Sequence, residues 1–394
     1  MREYVNLFMD IAEALLKSGA EIYRVEETLM RLGSAYGAYR TDVFAITSNI
    51  ELTMVFKAEQ YTLVRRIRSS GSDFTRLNAL NTLARAACKS RLSAEEIRNS
   101  LNKINAGRLS PYKKCAGGFL GASAFSVFFG GSLWDALVAG LIGVFISVIM
   151  LLGAKKISSR AAMYVLCSLP AGFLSCLAAA VFGLSADKII IGVIMLMIPG
   201  LAVTNSVRDM LVGDTLSGLL RLIQSIIETI MIAGCFLVAL RATGLAVTHS
   251  QAADGYEQLI PALLGSLGFA LMSNVERKYL FASTIGGLLA WLLFIFAENI
   301  LGFGTIMCAF IASFASELAA EGLARIYKAP ATVFLLGLVI PMVPGGALFN
   351  FFSTLIAGDA AYAGYGISLL LMLGGITLGI GVAASLVAYA NKRL

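Results

Sequence analysis

Glu228 sits in the middle of an apolar run, LLRLIQSIIETIMIAGCFLVAL. A carboxyl held out of water in such a run can be protonated on one side of a bilayer and deprotonated on the other, which is the chemistry of a proton carrier. Arg221 and Gln224 precede it by seven and four residues and so share its helical face. A structural Arg–Glu or Gln–Glu pairing is the alternative use of the same residues. Glu317, in FIASFASELAAEGLARIYK, is the second proton-carrying candidate, with Ser313 and Glu321 on its face at four-residue spacing. Glu321 and Arg325 read as an end-of-helix pair.

A different chemistry is written twice. MIPGLAVTNSVRDMLVGD (197–214) and MVPGGALFNFFSTLIAGD (342–359) align without a gap: Pro199 with Pro344, Gly200 with Gly345, Ala202 with Ala347, Asn205 with Asn350, Gly213 with Gly358 and Asp214 with Asp359. The alternative is that Pro-Gly and Gly-Asp merely end helices in both places. A Pro-Gly pair inside an apolar run frees backbone groups, and such backbone is tolerated at membrane depth only where it is buried or lines a cavity. Asn205 and Asn350 offer donors and acceptors that suit a zwitterion. Pro199, Gly200, Pro344 and Gly345, with these two amides, are the candidate substrate-binding residues. Arg208, Asp209, Asp214 and Asp359 follow as candidate gate residues, with helix N-capping as the other use of Asp214 and Asp359.

The elements that must position these residues follow from composition. The 394 residues are 58% hydrophobic and only 14% charged, with a mean hydropathy of +0.80. Residues 1–111 hold 28 of the 55 charged side chains and the remaining 283 residues hold 27. That is a domain of ordinary polarity followed by a polytopic membrane domain. Ten apolar runs approach spanning length: 114–131, 133–154, 162–183, 188–204, 216–240, 259–274, 279–297, 301–320, 330–349 and 364–390. Fifteen Lys and Arg lie beyond residue 111; twelve fall on the side of the N-terminal domain, Lys188 and Arg241 on the other, and Arg221 within the fifth run. Positive charge marks the cytoplasmic side, so both termini are expected there. The net charge of +7 reflects this topology rather than nucleic-acid binding.

Each Pro-Gly segment follows the fourth span of a five-span half. Five is odd, so the halves enter from opposite sides, an inverted repeat whose broken helices in matching positions point to a binding site. The expected division is a cytoplasmic α+β domain at 1–111, a first five-helix module at 112–245 and a second at 256–394. The N-terminus carries acids within its apolar face and does not read as a signal peptide.

Within 1–111, YVNLFMDIAEALL and SGAEIYRVEETLMRLGSAYG read as helices, and DVFAIT, IELTMVF and YTLVRRI as three short strands. DFTRLNALNTLARAACKS is helical, and SAEEIRNSLNKI opens with Ser93 and Glu96 spaced as a capping box. Glu21, Arg24, Glu26 and Glu27 form a polar cluster, read equally as a site or as solvated helix charges. No nucleophile–base pair, phosphate loop or metal-ligand spacing stands out, so neither an enzyme nor a cofactor or metal site is expected. His249, in an outer loop, reads as a surface residue.

SGAEIYRVEETLMRLG (18–33), VRRIRSSGSDFTRLNALNTLARA and PGLAVTNSVRDMLVGDTLSGLLRL (199–222) resemble the bacterial threonine/serine exporter family. SELAAEGLARIYKAPATVFLLGLVIPMVPG (316–345) resembles that family's second, C-terminal module. The resemblance covers essentially the whole chain. It implies a ten-span exporter of L-threonine and L-serine in the bacterial inner membrane, driven by the proton motive force, with a cytoplasmic N-terminal domain. Its partners would be a small amino acid, protons and the lipid bilayer, and a homo-oligomer is compatible with it. Some relatives split the two modules between chains and are associated with dicarboxylate export, notably of succinate. The N-terminal domain of members has been described as hydrolase-like, and no catalytic constellation here supports that.

Overall fold

A computed structural model describes residues 1–68, 71–107, 110–153, 157, 159–199, 202–203, 205–206, 209–210, 213–245 and 255–393. The chain forms two compact units. One comprises Met1–Ser110 with Asp209–Leu220 and Ser273–Glu276; the other comprises Pro111–Arg208, Arg221–Met272 and Arg277–Leu394.

The first unit opens with α1 (Arg2–Lys17) and α2 (Ile22–Ala35). Val5, Phe8, Ile11 and Leu15 bury one stripe of α1, and Ile22, Val25, Leu29 and Leu32 one stripe of α2, the three- and four-residue spacing of an amphipathic helix. Gly19, between them, has φ +94, and a Cβ there would stand 2.9 Å from the Gly71 carbonyl oxygen, so the SG turn needs glycine for both reasons. Strands β1 (Arg40–Ile46), β2 (Asn49–Val55) and β3 (Gln60–Arg66) pair antiparallel in sequence order. In the register Phe44 faces Glu51, which faces Val64, on the open face. Ile50, Leu52 and Met54 supply the buried face. Helix α3 (Phe74–Ser90) is capped by Asp73, and α4 (Ala94–Ala106) carries the Ser93/Glu96 capping box that the sequence spacing predicts. Each such cap holds its helix end by about 1 kcal/mol.

The second unit is helical: α5 (Pro111–Phe128), α6 (Leu133–Gly153), α7 (Arg160–Phe182) and α8 (Ala186–Met195) lead to the first Pro-Gly segment. Helix α9 (Thr215–Thr243) begins within the first unit and continues into the second. Its 29 residues make it about 43 Å long, more than the ~30 Å hydrocarbon core requires. A 3-10 turn (Gly255–Gln258) leads into α10 (Leu259–Met272), followed by α11 (Arg277–Asn299), α12 (Thr305–Tyr327) and α13 (Ala331–Val339). A second 3-10 turn (Ile340–Met342) precedes α14 (Gly345–Ala357) and α15 (Tyr362–Arg393).

Among the described residues, α6, α7, α9, α11, α12 and α15 are long and apolar enough to cross a membrane, and the pair α13/α14, bent by 53°, makes a seventh candidate. The protein is a multi-pass helical membrane protein. The distance from Pro199 to Pro344, 145 residues, recurs in the helix bounds: subtracting it from 305–327 of α12 gives 160–182, the bounds of α7, and subtracting it from 331 gives 186, the first residue of α8.

Small residues set the closest approaches. Lipid tails are as apolar as the helices, so association in a bilayer relies on van der Waals packing and close backbone contact. A Cβ on Gly268 of α10 would lie 2.5 Å from the Gly121 nitrogen of α5, and one on Gly117 would lie 2.6 Å from the Gly268 oxygen. A Cβ on Gly379 of α15 would lie 2.5 Å from the Phe310 oxygen of α12.

Candidate functional site

The first break begins where α8 tightens. Leu196 N–H donates to the Val193 oxygen (3.2 Å) and Met197 N–H to that of Ile194 (2.8 Å), i-to-i−3 bonds that narrow the last turn. Pro199, half-buried, has no N–H to continue the ladder. Its carbonyl accepts from Val203 N–H at 3.0 Å, where helical geometry resumes. In the second break Pro344 occupies the N-cap of α14 with φ −79 and ψ 50. Gly345 N–H turns back to the Val343 oxygen at 2.7 Å, and Leu348 N–H reaches the Pro344 oxygen at 2.9 Å.

The two breaks meet. A Cβ added to Gly345 would overlap the Met195 sulfur at the end of α8 and lie 3.9 Å from Ile198 Cδ1; one added to Gly346 would lie 2.7 Å from Phe129 Cζ and 3.3 Å from Ile191 Cδ1. Ile194, Met197 and Ile198 share one buried apolar cluster with Leu348, Phe349 and Phe352. The sequence shows both breaks, but not that they touch.

Asn350 is buried one turn into α14, and its carbonyl accepts from Ser353 Oγ (3.1 Å) and Thr354 Oγ1 (2.6 Å). Asn205 is helical and half-buried. Beside it, buried Ser206 donates to the Val203 oxygen at 2.6 Å. Gly200, Arg208 and His249 lie outside the described residues. Asp209 is buried and belongs to the first unit. Its carbonyl accepts from Asp214 N–H at 2.9 Å across Gly213, which has φ +109. The Asp214 carbonyl in turn accepts Gly218 N–H at 2.9 Å, placing Asp214 at the cap position of α9. Asp359 is exposed and follows Gly358, which has φ +73. Its Oδ1 accepts Ala361 N–H at 2.9 Å, closing a turn ahead of α15 rather than capping its first residue.

Glu228 is 4% exposed, midway along α9. Gln224 Nε2 donates to its Oε1 at 2.8 Å, as the four-residue spacing predicts. Two further partners come from the first turn or two of α7: the Tyr164 hydroxyl, hydrogen-bonded to the carboxylate, and Arg160, whose Nη1 stands 3.7 Å from Oε1. The Arg160 side chain is 41% exposed against 5% for that of Glu228, so the cation lies open at the surface of the helices and the carboxylate does not. In the sequence Arg160 serves only as a topology marker and Tyr164 carries no role. The available signal was their four-residue spacing, which puts them on one face of a helix.

Glu317 is fully buried in α12. Ser313, one turn earlier, donates to the Gly375 oxygen of α15 at 3.4 Å. Glu321 is half-buried and Arg325 exposed.

The polar cluster of the first unit separates into three settings. Glu21, buried, accepts from Arg24 Nε at 2.6 Å. Glu27 makes an exposed four-residue pair with Arg31 at 2.6 Å. Glu26 turns inward, its Oε1 accepting Ala45 N–H of β1 at 2.8 Å. Burial raises its pKa above the usual carboxylate range; the Ala45 bond opposes this and the Asp214 carboxylate adds to it. Burial likewise raises that of Asp214.

Two further residues carried no functional reading. Asp135, buried, accepts Ser132 N–H at 2.8 Å and Ser185 N–H at 2.9 Å, joining the turns ahead of α6 and α8; the Ser132-x-x-Asp135 spacing was its signal. Lys188, read as an outer-side charge, donates to the Phe129 oxygen at 2.8 Å, next to the ring that faces Gly346. Among the described residues no group of three or more His, Cys, Asp or Glu is placed to hold a metal ion.

Two family models match in tandem. One, described as "Putative threonine/serine exporter", covers residues 6–243, and one described as "Threonine/Serine exporter, ThrE" covers 258–386. A "Probable threonine/serine exporter" of Mycobacterium tuberculosis (strain ATCC 25618 / H37Rv) is 23% identical over 372 residues, spanning 89% of this chain and 69% of that protein. No solved structure matches.

Proposed function

Because the chain belongs to the threonine/serine exporter family, we propose that it is a proton-driven secondary exporter of L-threonine and L-serine in a bacterial inner membrane. The observation that carries the reading is the meeting of the two breaks, Gly345 against Met195, in one buried cluster. Freed backbone from two broken helices converging at one place is how transporters of inverted-repeat architecture build a substrate site. Pro199, Gly200, Pro344 and Gly345 supply that backbone, and Asn205 and Asn350 supply amide donors and acceptors for the substrate. Glu228 or Glu317 carries the proton, and Arg208, Asp209, Asp214 and Asp359 gate the two mouths.

Two observations support a ten-span inverted repeat with cytoplasmic termini. The recurrence of helix bounds at 145 residues pairs the short α8 with α13, so neither is discarded for its length. Residues 1–110, 209–220 and 273–276 form one compact unit, which supports a topology with all three on one side of the bilayer. That requires an even number of crossings before 209 and again between 220 and 273, which four spans and two spans satisfy. The basic residues place this side in the cytoplasm.

The test is counterflow in proteoliposomes loaded with unlabelled serine, following labelled threonine with and without a pH gradient. Saturable exchange, accelerated by the gradient and lost in Asn205→Ala, is expected. Exchange with succinate in place of either amino acid overturns the substrate assignment.

A further inference from the structure

The two edges of the sheet in the first unit differ. In the hairpin between β2 and β3, Phe56 N–H donates to the Glu59 oxygen at 2.8 Å, and at the far end Ile67 N–H donates to the Ser48 oxygen at 2.8 Å. Both bonds join facing residues, and the register between them runs without a bulge. Facing pairs of an antiparallel ladder alternate between bonded and non-bonded, so the odd-numbered residues of β3 bond β2 and the even-numbered ones turn their N–H and C=O groups outward. The same alternation turns Ala45 of β1 outward, and there its N–H is taken by Glu26 of α2 at 2.8 Å. The β1 edge is covered at that point. On β3, Gln60, Thr62, Val64 and Arg66 are all exposed, Val64 at 63%. Among the described residues nothing bonds their outward main-chain groups.

An open edge is a template for another strand, and native chains ordinarily blunt it with charge, proline or a bulge. β3 has no proline and no bulge, and its charges sit at its ends: Glu59 just before it, Arg65 and Arg66 at its close. That arrangement is complementary to itself. Laid antiparallel on a second copy about Leu63, Gln60 faces Arg66 of the second copy and Thr62 faces Val64 of the second copy. Val64 then lies diagonally beside Val64 of the second copy, which covers an exposed apolar side chain. On the opposite face Glu59 is diagonal to Arg65 of the second copy. A parallel pairing in register would instead bring Arg66 onto Arg66, and like charges directly opposite are destabilising.

We propose that β3 is a dimerisation edge: two copies of the chain pair β3 to β3, antiparallel about Leu63, into one six-stranded sheet. The contact is isologous, so it closes on itself and leaves the β1 edges outermost. Each facing pair of outward residues exchanges two main-chain bonds. The dimer stands apart from the transport reading and does not depend on the substrate.

The experiment uses the full chain. Light scattering of the detergent-solubilised protein is expected to give the mass of two chains. Val64→Pro removes an outward N–H and none of those that bond β2. It is expected to give the mass of one chain with an unchanged circular dichroism spectrum. Val64→Lys, which sets two cations beside each other at the two-fold axis, is expected to do the same and replaces the proline variant if that one fails to fold. The link itself is read in membranes holding two chains whose native cysteines are replaced by alanine, one with Thr62→Cys and the other with Val64→Cys. Oxidation is expected to join them, since bonded facing residues stand about 5.5 Å apart at Cα, within disulfide reach. A single-chain mass for the parent together with no link in membranes overturns the dimer. A dimer that persists in both Val64 variants, or that forms without the 62–64 link, overturns the edge.

Discussion

Gly345, the first residue after the second break, lies so close to Met195 at the mouth of the first that a single methyl group on it would overlap the Met195 sulfur. One break therefore depends on the other being small. Met195 is a flexible side chain and can yield, but not without disturbing the cluster around Ile198 and Phe349. Gly345→Ala should lower the melting temperature of the detergent-solubilised protein, an overpacking cost of about 1–3 kcal/mol. Met195→Ala in the same chain should recover at least half of it. Strictly additive effects in that double-mutant cycle would show that the two residues do not touch.

The buried carboxylate of Glu228 has a half-exposed guanidinium, a tyrosine and an amide around it. Glu228→Gln should abolish acceleration of exchange by a pH gradient while the protein elutes as a folded species. Arg160→Gln, which leaves Gln224 and Tyr164 on the carboxylate, should shift the pH at which exchange is half-maximal without abolishing it. An unchanged gradient response in Glu228→Gln would transfer the proton to Glu317.

Backbone-to-backbone approach at Gly268 and Gly121 leaves no flexible atom to give way. Gly268→Val should therefore prevent assembly of the helical unit altogether, seen as loss of the monodisperse peak in size-exclusion chromatography. Gly234, with nothing within 4 Å of an added Cβ, should accept alanine silently and serves as the control.

Glu26 and Glu13 should give the first unit opposite pH responses. Burial raises the folded pKa of Glu26 above 4.5, so the folded chain holds its proton to higher pH than the unfolded chain, and stability from this group declines as pH rises from 4.5 through the folded value. For Glu13, burial would raise the pKa, but hydrogen bonds from Lys17 and Arg65 outweigh it and lower it below 4.5, so its contribution is present above 4.5 and lost on acidification. Glu26→Gln keeps an acceptor for Ala45 N–H. Hydrogen exchange at the Ala45 amide should then slow at neutral pH relative to the parent, and equal rates at every pH would contradict the assignment.

The sequence alone determined what depends on local pattern. Strands expected at 42–47, 50–56 and 61–67 are found at 40–46, 49–55 and 60–66, because alternation and turn residues act over a few positions. The Ser93/Glu96 box, the Gln224–Glu228 bond and the two Pro-Gly interruptions were equally legible, since each is fixed by spacing along one helix. Tertiary structure decided what joins residues far apart in the chain. Arg160 reaches Glu228 across 68 positions, Met195 meets Gly345 across 150, and Asn78 bonds Glu276 across 198. It also turned Glu26 inward to Ala45 while leaving its neighbour Glu27 in solvent with Arg31. In a bilayer every apolar face looks alike in composition, so which faces meet is set by small residues and backbone shape, and those act only once the helices are packed.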